Sequence, residues 1–346
     1  MKAQQIEQIL KIVRNKKNVS ASDLYHEIEI GQSTVRKYLK ELVDLNYISI
    51  SGVGKSTKYH ISLAYELLAP IILEEYYSRD MDDRQIKAQF NFDLIPEVLS
   101  KTKIFNEQEI LKLEQIQKRY LASIADVEET IYKKRLEVLA IDLIWKSSEI
   151  EGNTYSLLET EALIKQQELA YGKSKEDATM LLNHKKALDF IIDDTEYLKP
   201  LSLNKAIDIH TLLTSGLGIN NNIRKRAVAI TGTNYKPLSI ESQITEALEA
   251  TIQLVNNKEN VFEKALLLLC LLSYIQGFED GNKRTARIVS NAVLMSYNHC
   301  PLSFRTVKAV HYKKAMLLFY EQNNLSEMKK IFIDQYEFAV NQYFDL

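Results

Sequence analysis

A run of small and charged residues from Gln276 to Arg287 has the composition of an anion-binding site. The apolar pattern before it predicts a helix over 261–275 that ends at Gly277, and a second helix begins near Lys283 after a short loop. Backbone N–H groups at the start of a helix point together and attract negative charge, and Gly281 lets a ligand approach closely. The run therefore predicts a binding site for phosphate groups.

Three side chains add to this anion site. Arg284 and Arg287 lie three residues apart on one side of the second helix, where both can hold further phosphate oxygens. Asp280 offers only acceptor oxygens, at the place where a phosphate-bound Mg²⁺ would lie. One nucleoside triphosphate with its magnesium ion would satisfy all of these groups together.

The run Gln276-Gly-Phe-Glu-Asp-Gly-Asn-Lys-Arg-Thr-Ala-Arg287 resembles the Fic motif, His-x-Phe-x-(Asp/Glu)-Gly-Asn-(Gly/Lys)-Arg-x-x-Arg. Every defining position matches except the first, and the resemblance extends over roughly residues 130–300. It implies an all-α helical bundle that uses Mg·ATP. The implied activity is transfer of AMP to a Ser, Thr or Tyr hydroxyl of a protein, either an unidentified target or the chain itself.

The resemblance also implies a role for each motif residue. Asp280 would hold Mg²⁺, and the anion hole would be lined by Gly281, Asn282 and Lys283. Arg284 would contact the phosphates, and Arg287 would bind the γ-phosphate.

The segment 227–240 alternates β-branched residues around a glycine, which predicts a short hairpin. By resemblance it is the family's flap, which holds the target segment by strand addition. The flap residues expected to bind the target are Thr231, Gly232, Thr233, Asn234 and Tyr235.

A predicted helix ahead of this core carries Leu, Ala, Leu, Ser and Glu on one face, at positions 136, 140, 143, 147 and 151. A carboxylate at the end of a core-facing stripe is costly unless it meets a cation. The alternative is a frayed helix end with Glu151 in water. Ser147-x-x-x-Glu151-Gly152 resembles the family's inhibitory motif, (Ser/Thr)-x-x-x-Glu-(Gly/Asn), and this implies that Glu151 pairs with Arg287 and excludes a productive ATP pose.

Gln276 stands where the family has its general-base histidine. A glutamine amide has no nitrogen that titrates near neutrality, and losing a general base costs about 10²–10⁴-fold in rate. No histidine lies in the motif, although His184 or His210 could approach it in space. Two hypotheses follow: an inactivating change in an ordinary AMP transferase, or a native residue of an ATP-binding pseudoenzyme. Phosphorylating relatives also carry lysine at position 283 but lack the Gly281 and Arg287 pattern, so a Doc-like phosphotransfer ranks second.

The N-terminal region differs in charge from the rest. Residues 1–65 hold ten Lys/Arg and six Asp/Glu, whereas the whole chain has a net charge of −2. Three short helices followed by two alternating strands predict a winged helix-turn-helix over 1–62. The residues expected to contact DNA are Ser33, Thr34, Arg36, Lys37 and Lys40. The alternatives are a module for protein contacts or dimerisation, and a transcription regulator whose bundle only senses nucleotide.

Composition fixes the remaining expectations. The 346 residues include only 10 Gly and 5 Pro, too few for the tight turns of a many-stranded fold, so helix is predicted. Cys270 and Cys300 lie in apolar contexts and are expected to be buried free thiols. No apolar run is long enough to cross a membrane, and no signal peptide is evident, which predicts a cytoplasmic protein; a homodimer stays open. The predicted division is 1–62, a helical linker 63–130, a core 131–300 with the inhibitory helix 131–152, and C-terminal helices 301–346.

Overall fold

The computed structural model describes residues 2–16, 18–28, 30–62 and 64–345. Over these residues the chain is predominantly helical, and its one sheet has two strands. The all-α prediction is therefore confirmed. Both cysteines are free and buried, as expected. None of the described helices is both long enough and apolar enough to span a membrane.

The N-terminal unit has the predicted order of elements. It consists of α1 (Lys2–Lys16), α2 (Ala21–Glu27), α3 (Gln32–Asp44), β1 (Ile48–Ser51) and β2 (Lys58–Ile61). The two strands pair antiparallel, with Ile48 opposite Ile61. Ser20 starts α2 by accepting a hydrogen bond from the backbone N–H of Asp23. The unit has its own hydrophobic core, which includes Val13, Leu24, Val35, Leu39 and Leu42.

A connecting region leads from this unit to the bundle. It contains α4 (Ala64–Leu68), α5 (Leu73–Tyr76), a 3₁₀ turn (Met81–Asp83), a π-helical turn (Leu94–Leu99) and α6 (Glu107–Ala125). Its first predicted residue, Leu63, lies outside the described residues. Leu68, Phe90 and Leu94 belong to the same hydrophobic core as the bundle. The connector is thus packed on the bundle along its length.

The bundle follows in nine helices among the described residues. They are α7 (Glu129–Ile150), α8 (Leu157–Gln166), α9 (Lys175–Asp193), α10 (Leu203–Thr214), α11 (Glu241–Asn257), α12 (Val261–Ile275), α13 (Asn282–Ser296), α14 (Ala309–Gln322) and α15 (Ser326–Tyr343). Every residue from Phe262 to Ile275 is buried, as expected for a helix that is apolar on most faces. α12 packs lengthwise on α13, and α9, α10 and α7 contact α13. The loop between α12 and α13 therefore joins the two central helices of the bundle.

The segment 227–240 forms no strand. The chain turns at Thr231 and Gly232 as predicted, but the two limbs do not bond to each other as a hairpin ladder. The limb after the turn bonds instead to the connector, where the backbone N–H of Lys236 donates to Ala88 O at 2.9 Å. Because the connector supplies this partner, the predicted hairpin is present only as a turn.

Candidate functional site

The loop from Gln276 to Gly281 is held closed by the first residue of α13. Gln276 ends α12 with a left-handed backbone (φ 53°), and Gly281 has φ 79°. Asn282 Oδ1 accepts from the backbone N–H of Phe278, and Asn282 Nδ2 donates to Phe278 O, both at 2.8 Å. Phe278 is buried. The start of α13 thus faces one side of a preformed loop.

This loop borders a cavity of about 450 Å³. The predicted metal ligand Asp280 and the predicted nucleotide-binding residues Gly281, Asn282, Lys283 and Arg284 line it. The other walls come from Ile150, Glu151, residues 228–231 and α14. Arg284 is 2% exposed and donates through Nη2 to Asp280 Oδ2 at 3.0 Å. Its other terminal nitrogen, Nη1, has no hydrogen-bond partner among the described residues. Burial lowers the pKa of Arg284, although the carboxylates of Asp280 and Glu151 oppose this.

Glu151 lies between two cations at the end of the cavity. Arg287 Nη2 donates to Glu151 Oε1 at 2.8 Å, and Lys283 Nζ donates to Glu151 Oε2 at 3.2 Å. Burial of the carboxyl opposes its ionisation, but the charges of Arg287 and Lys283 outweigh this and lower the pKa of Glu151 to about 2. The carboxylate is paired, so the alternative of a frayed helix end in water is wrong. Sequence reasoning expected Arg287 and missed Lys283.

Ser147 and Gly152 lie on either side of Glu151 in the sequence. Arg287 is fully buried, and its Nε donates to Ser147 Oγ at 2.8 Å while Nη2 donates to Ser147 O at 3.0 Å. Gly152 follows with φ 99°, a conformation that favours glycine, and turns the chain away from α7. Ser147 and Glu151 therefore contact the same guanidinium group.

Neither of the two histidines expected to approach Gln276 is free to accept a proton from a ligand. His184 accepts from Ser147 Oγ at 2.9 Å, and burial, followed by the charges of Arg284 and Arg287, lowers its pKa to about 3. His210 Nε2 donates to the backbone oxygen of Asp280 at 2.9 Å, and burial lowers its pKa to about 4. Both side chains are fully buried and contact other groups. The sequence suggested these two residues only because they are histidines, since no motif or spacing connects them with the loop.

Gln276 lines the cavity, but its amide bonds back onto its own helix. Gln276 Nε2 donates to Ser273 O at 2.6 Å, and the backbone oxygen of Gln276 accepts from Arg224 Nε at 2.5 Å. Arg224 also donates its backbone N–H to Gly277 O at 3.0 Å. Sequence reasoning missed Arg224, because its contacts join segments about 50 residues apart.

The described residues contain no group of three or more His, Cys, Asp or Glu side chains placed to hold a metal ion. The Asp280 side chain is 68% exposed and supplies hard oxygen donors. Mg²⁺ is commonly held by one or two carboxylates together with phosphate oxygens and water. Asp280 therefore fits a metal that arrives with the nucleotide.

The flap residues divide into two groups. Thr231 lines the cavity together with residues 228–230. Thr233 and Tyr235 are buried, and the Tyr235 hydroxyl donates to Tyr274 O at 3.1 Å. Asn234 Nδ2 donates to Asp82 Oδ1 at 2.8 Å. The side chains of Thr233 and Tyr235 thus anchor the flap in the core, and target contact by residues 231–235 stays a prediction.

The predicted DNA-contacting residues lie on α3. Ser33, Arg36, Lys37 and Lys40 are exposed, and Thr34 is half-buried. Arg36 Nε donates to the hydroxyl of Tyr25 at 3.0 Å. Lys37 and Lys40 border a groove that also contains acidic residues of α3 and the start of α6. DNA contact by this face stays a prediction.

Fold and site together define a helical domain with a cavity beside the loop that joins its two central helices. Residues 200–294 match the model of the Fic/DOC family, so the chain contains a Fic/DOC domain. It is 24% identical over 253 residues to a protein adenylyltransferase Fic of Nematostella vectensis, covering 68% of this chain and 59% of that protein. It is 24% identical over 166 residues to protein adenylyltransferase fic-1 of Caenorhabditis elegans, covering 46% of this chain and 32% of that protein. The chain thus spans less than two thirds of the length of these curated relatives.

Solved structures share the fold. Residues 134–508 of C. elegans Fic-1 superpose with a TM-score of 0.61 at 17% identity, covering 69% of this chain and 72% of that one. A Fic domain-containing signalling protein from Bacteroides thetaiotaomicron superposes with a TM-score of 0.58 at 17% identity, covering 68% of this chain and 96% of that one.

Proposed function

We propose that this chain binds Mg·ATP in the cavity beside the α12–α13 loop and has the architecture for transferring AMP to a protein hydroxyl. We further propose that Glu151 inhibits this activity and that Gln276 makes transfer slow. One observation carries the proposal. The Glu151 carboxylate accepts hydrogen bonds from Arg287 Nη2 at 2.8 Å and from Lys283 Nζ at 3.2 Å, beside a loop with the composition of an anion site. A terminal phosphate needs the same donors.

The remaining donors supply the rest of the nucleotide site. The backbone of Gly281, Asn282 and Lys283 would face the phosphates at the start of α13. Arg284 has a buried, unpartnered Nη1 beside the cavity, and a phosphate oxygen would satisfy it. Asp280 would hold Mg²⁺, which neutralises phosphate charge when bound.

Inhibition follows from competition for cations. While Glu151 is bonded to Arg287 and Lys283, a γ-phosphate placed there would meet a carboxylate at close range. Like charges at this distance repel strongly in a partly buried site. Glu151 therefore opposes the ATP pose in which Arg287 binds the γ-phosphate.

The target would bind along the cavity-facing limb of the flap. Residues 228–231 make no backbone hydrogen bonds to other described residues. An extended segment with free N–H and C=O groups can pair with a strand of another protein. Pairing there would bring a target hydroxyl next to the loop.

Gln276 limits the chemical step. An attacking hydroxyl must lose its proton, and a glutamine amide cannot accept one. His184 and His210 are buried and bonded elsewhere. The chain as it stands therefore binds nucleotide and transfers AMP about 10²–10⁴-fold more slowly than a histidine-bearing site.

Isothermal titration with Mg·ATP tests the binding part. Glu151→Gly should bind more tightly than the unmodified chain, because Arg287 and Lys283 become available. Glu149→Gly is the matched control, since Glu149 lies on the same helix and pairs with Lys146 instead. Absence of binding in Glu151→Gly would refute the proposal.

Labelled ATP tests the chemistry. With Gln276→His and Glu151→Gly combined, label from the α-phosphate on protein indicates AMP transfer. Label from the γ-phosphate alone indicates phosphotransfer, the second-ranked activity. Gln276→His alone, with Glu151 intact, is the control for inhibition and should label less.

A second candidate function concerns residues 1–62, which we propose form a winged helix-turn-helix unit. The carrying observation is the exposed face of α3 with Arg36, Lys37 and Lys40. Footprinting on upstream DNA, with and without ATP, tests whether this unit binds DNA and responds to nucleotide. Binding that is unchanged in Arg36→Ala with Lys40→Ala would exclude α3 as the contact helix. We also propose that the rest of the chain divides into a helical linker at 63–130, a core at 131–300 and C-terminal helices at 301–346.

A further inference from the structure

The side chain of His210 on α10 contacts the phosphate-binding loop in two ways. Its ring stacks on Phe278, with ring centroids 3.7 Å apart and planes 11° apart. Its Nε2 donates to the backbone oxygen of Asp280 at 2.9 Å. One histidine thus fixes the loop on both sides of Glu279, by a face-to-face ring contact and by a hydrogen bond.

The loop has little room to move at this point. A Cβ atom at Gly281 would lie 3.0 Å from Thr214 Cγ2 and 3.3 Å from His210 Nε2. α10 therefore supports the loop from the side opposite the cavity. The carboxylate of Asp280 is meanwhile oriented by Arg284 Nη2 at 3.0 Å. The backbone and the side chain of Asp280 are each held by a separate group.

We infer that His210 is a positioning residue for the magnesium–nucleotide site. It fixes the peptide of Asp280, so that the carboxylate is directed to the cavity before a ligand arrives. The inference rests on the proposed function, because it assumes that Asp280 holds Mg²⁺ there. His210 is fully buried and does not line the cavity.

Titration of full-length variants in the Glu151→Gly background tests the inference. His210→Phe keeps a flat ring but loses the donor, and His210→Gln places an amide nitrogen at the same number of bonds from the backbone as Nε2. His210→Met is a second variant without ring or donor. The matched control is His299→Phe, since the His299 side chain likewise makes a hydrogen bond, to Tyr336 at 3.1 Å, and contacts aromatic rings, those of Phe262 and Tyr336. Each protein is titrated with ATP in Mg²⁺ and again in EDTA, and its thermal unfolding is recorded.

His210→Phe should weaken Mg·ATP binding by about 2- to 10-fold, the range expected for one hydrogen bond. The loss should be smaller in EDTA, because Asp280 contributes only when the metal is present. His210→Gln should recover most of the affinity for Mg·ATP. His210→Met should lose at least as much affinity as His210→Phe, and the control His299→Phe should bind Mg·ATP as tightly as the parent. Unchanged binding in His210→Phe, or equal losses with and without Mg²⁺, would overturn the inference. A parent that binds no Mg·ATP would instead overturn the proposed function, and the inference with it.

Discussion

Replacing Glu151 with glutamine keeps the size of the side chain and removes its charge from between Arg287 and Lys283. The pKa of Glu151 is lowered from 4.5 to about 2: burial opposes ionisation, but the two cations more than compensate. Each pKa unit corresponds to about 1.4 kcal/mol, so the ionised carboxylate stabilises the fold by about 3 kcal/mol near neutrality. Glu151→Gln should therefore lower the free energy of unfolding by about that amount at pH 7.

The direction of the pH dependence follows from the lowered pKa. The contribution of Glu151 is fully present above the unfolded-state value near 4.5 and is lost as the pH falls through about 2. The difference in unfolding free energy between the unmodified chain and Glu151→Gln should narrow by roughly half between pH 6 and pH 3.

Urea unfolding followed by tryptophan fluorescence measures this difference. Trp145 is the single tryptophan of the chain and lies on α7, the helix that ends at Glu151. Glu149→Gln is the matched control and should cost about 1 kcal/mol or less, because its partner Lys146 lies on the same helix. Two outcomes would contradict the assignment of Glu151 as a doubly paired carboxylate. One is an equal loss of unfolding free energy in both variants, and the other is a difference between the unmodified chain and Glu151→Gln that widens as the pH falls.

Two further substitutions test the surroundings of the site. Gly281→Ala should weaken Mg·ATP binding at least tenfold in the Glu151→Gly background, because φ of Gly281 is 79° and the new Cβ would have neighbours at 3.0 and 3.3 Å. Gly218→Ala is the control, since Gly218 has φ 70° but no atom near the new Cβ. Equal binding by the two variants in calorimetry would refute the steric argument. Arg84→Ala should destabilise the fold by about 3–5 kcal/mol in thermal unfolding, because it leaves the fully buried Glu321 without its charged partner at 3.2 Å. Adding Glu321→Leu should recover much of that loss, and no recovery would point to another role for Arg84.

The backbone partner of the flap could not be predicted from the residue pattern of the flap itself. Alternating β-branched residues predicted a hairpin over 227–240, and only its turn at Gly232 is present. The pattern could not predict that the limb after the turn would bond to the connector, where the backbone N–H of Lys236 donates to Ala88 O at 2.9 Å across 148 positions. Strand pairing depends on which backbone groups meet in space, and periodicity along one segment does not contain that information.

The sequence alone determined the helical class and predicted an anion-binding loop. Both depend on local spacing: few glycines and prolines favour helix, and residues 280–287 carry their cations on one helical turn. It also gave the pairing of Glu151 with Arg287, through a resemblance. Only the tertiary structure decided that Lys283 shares this carboxylate and that His184 and His210 are bonded away from the cavity. These contacts join residues from 37 to 132 positions apart, and they are set by how α7, α9 and α10 pack around α13.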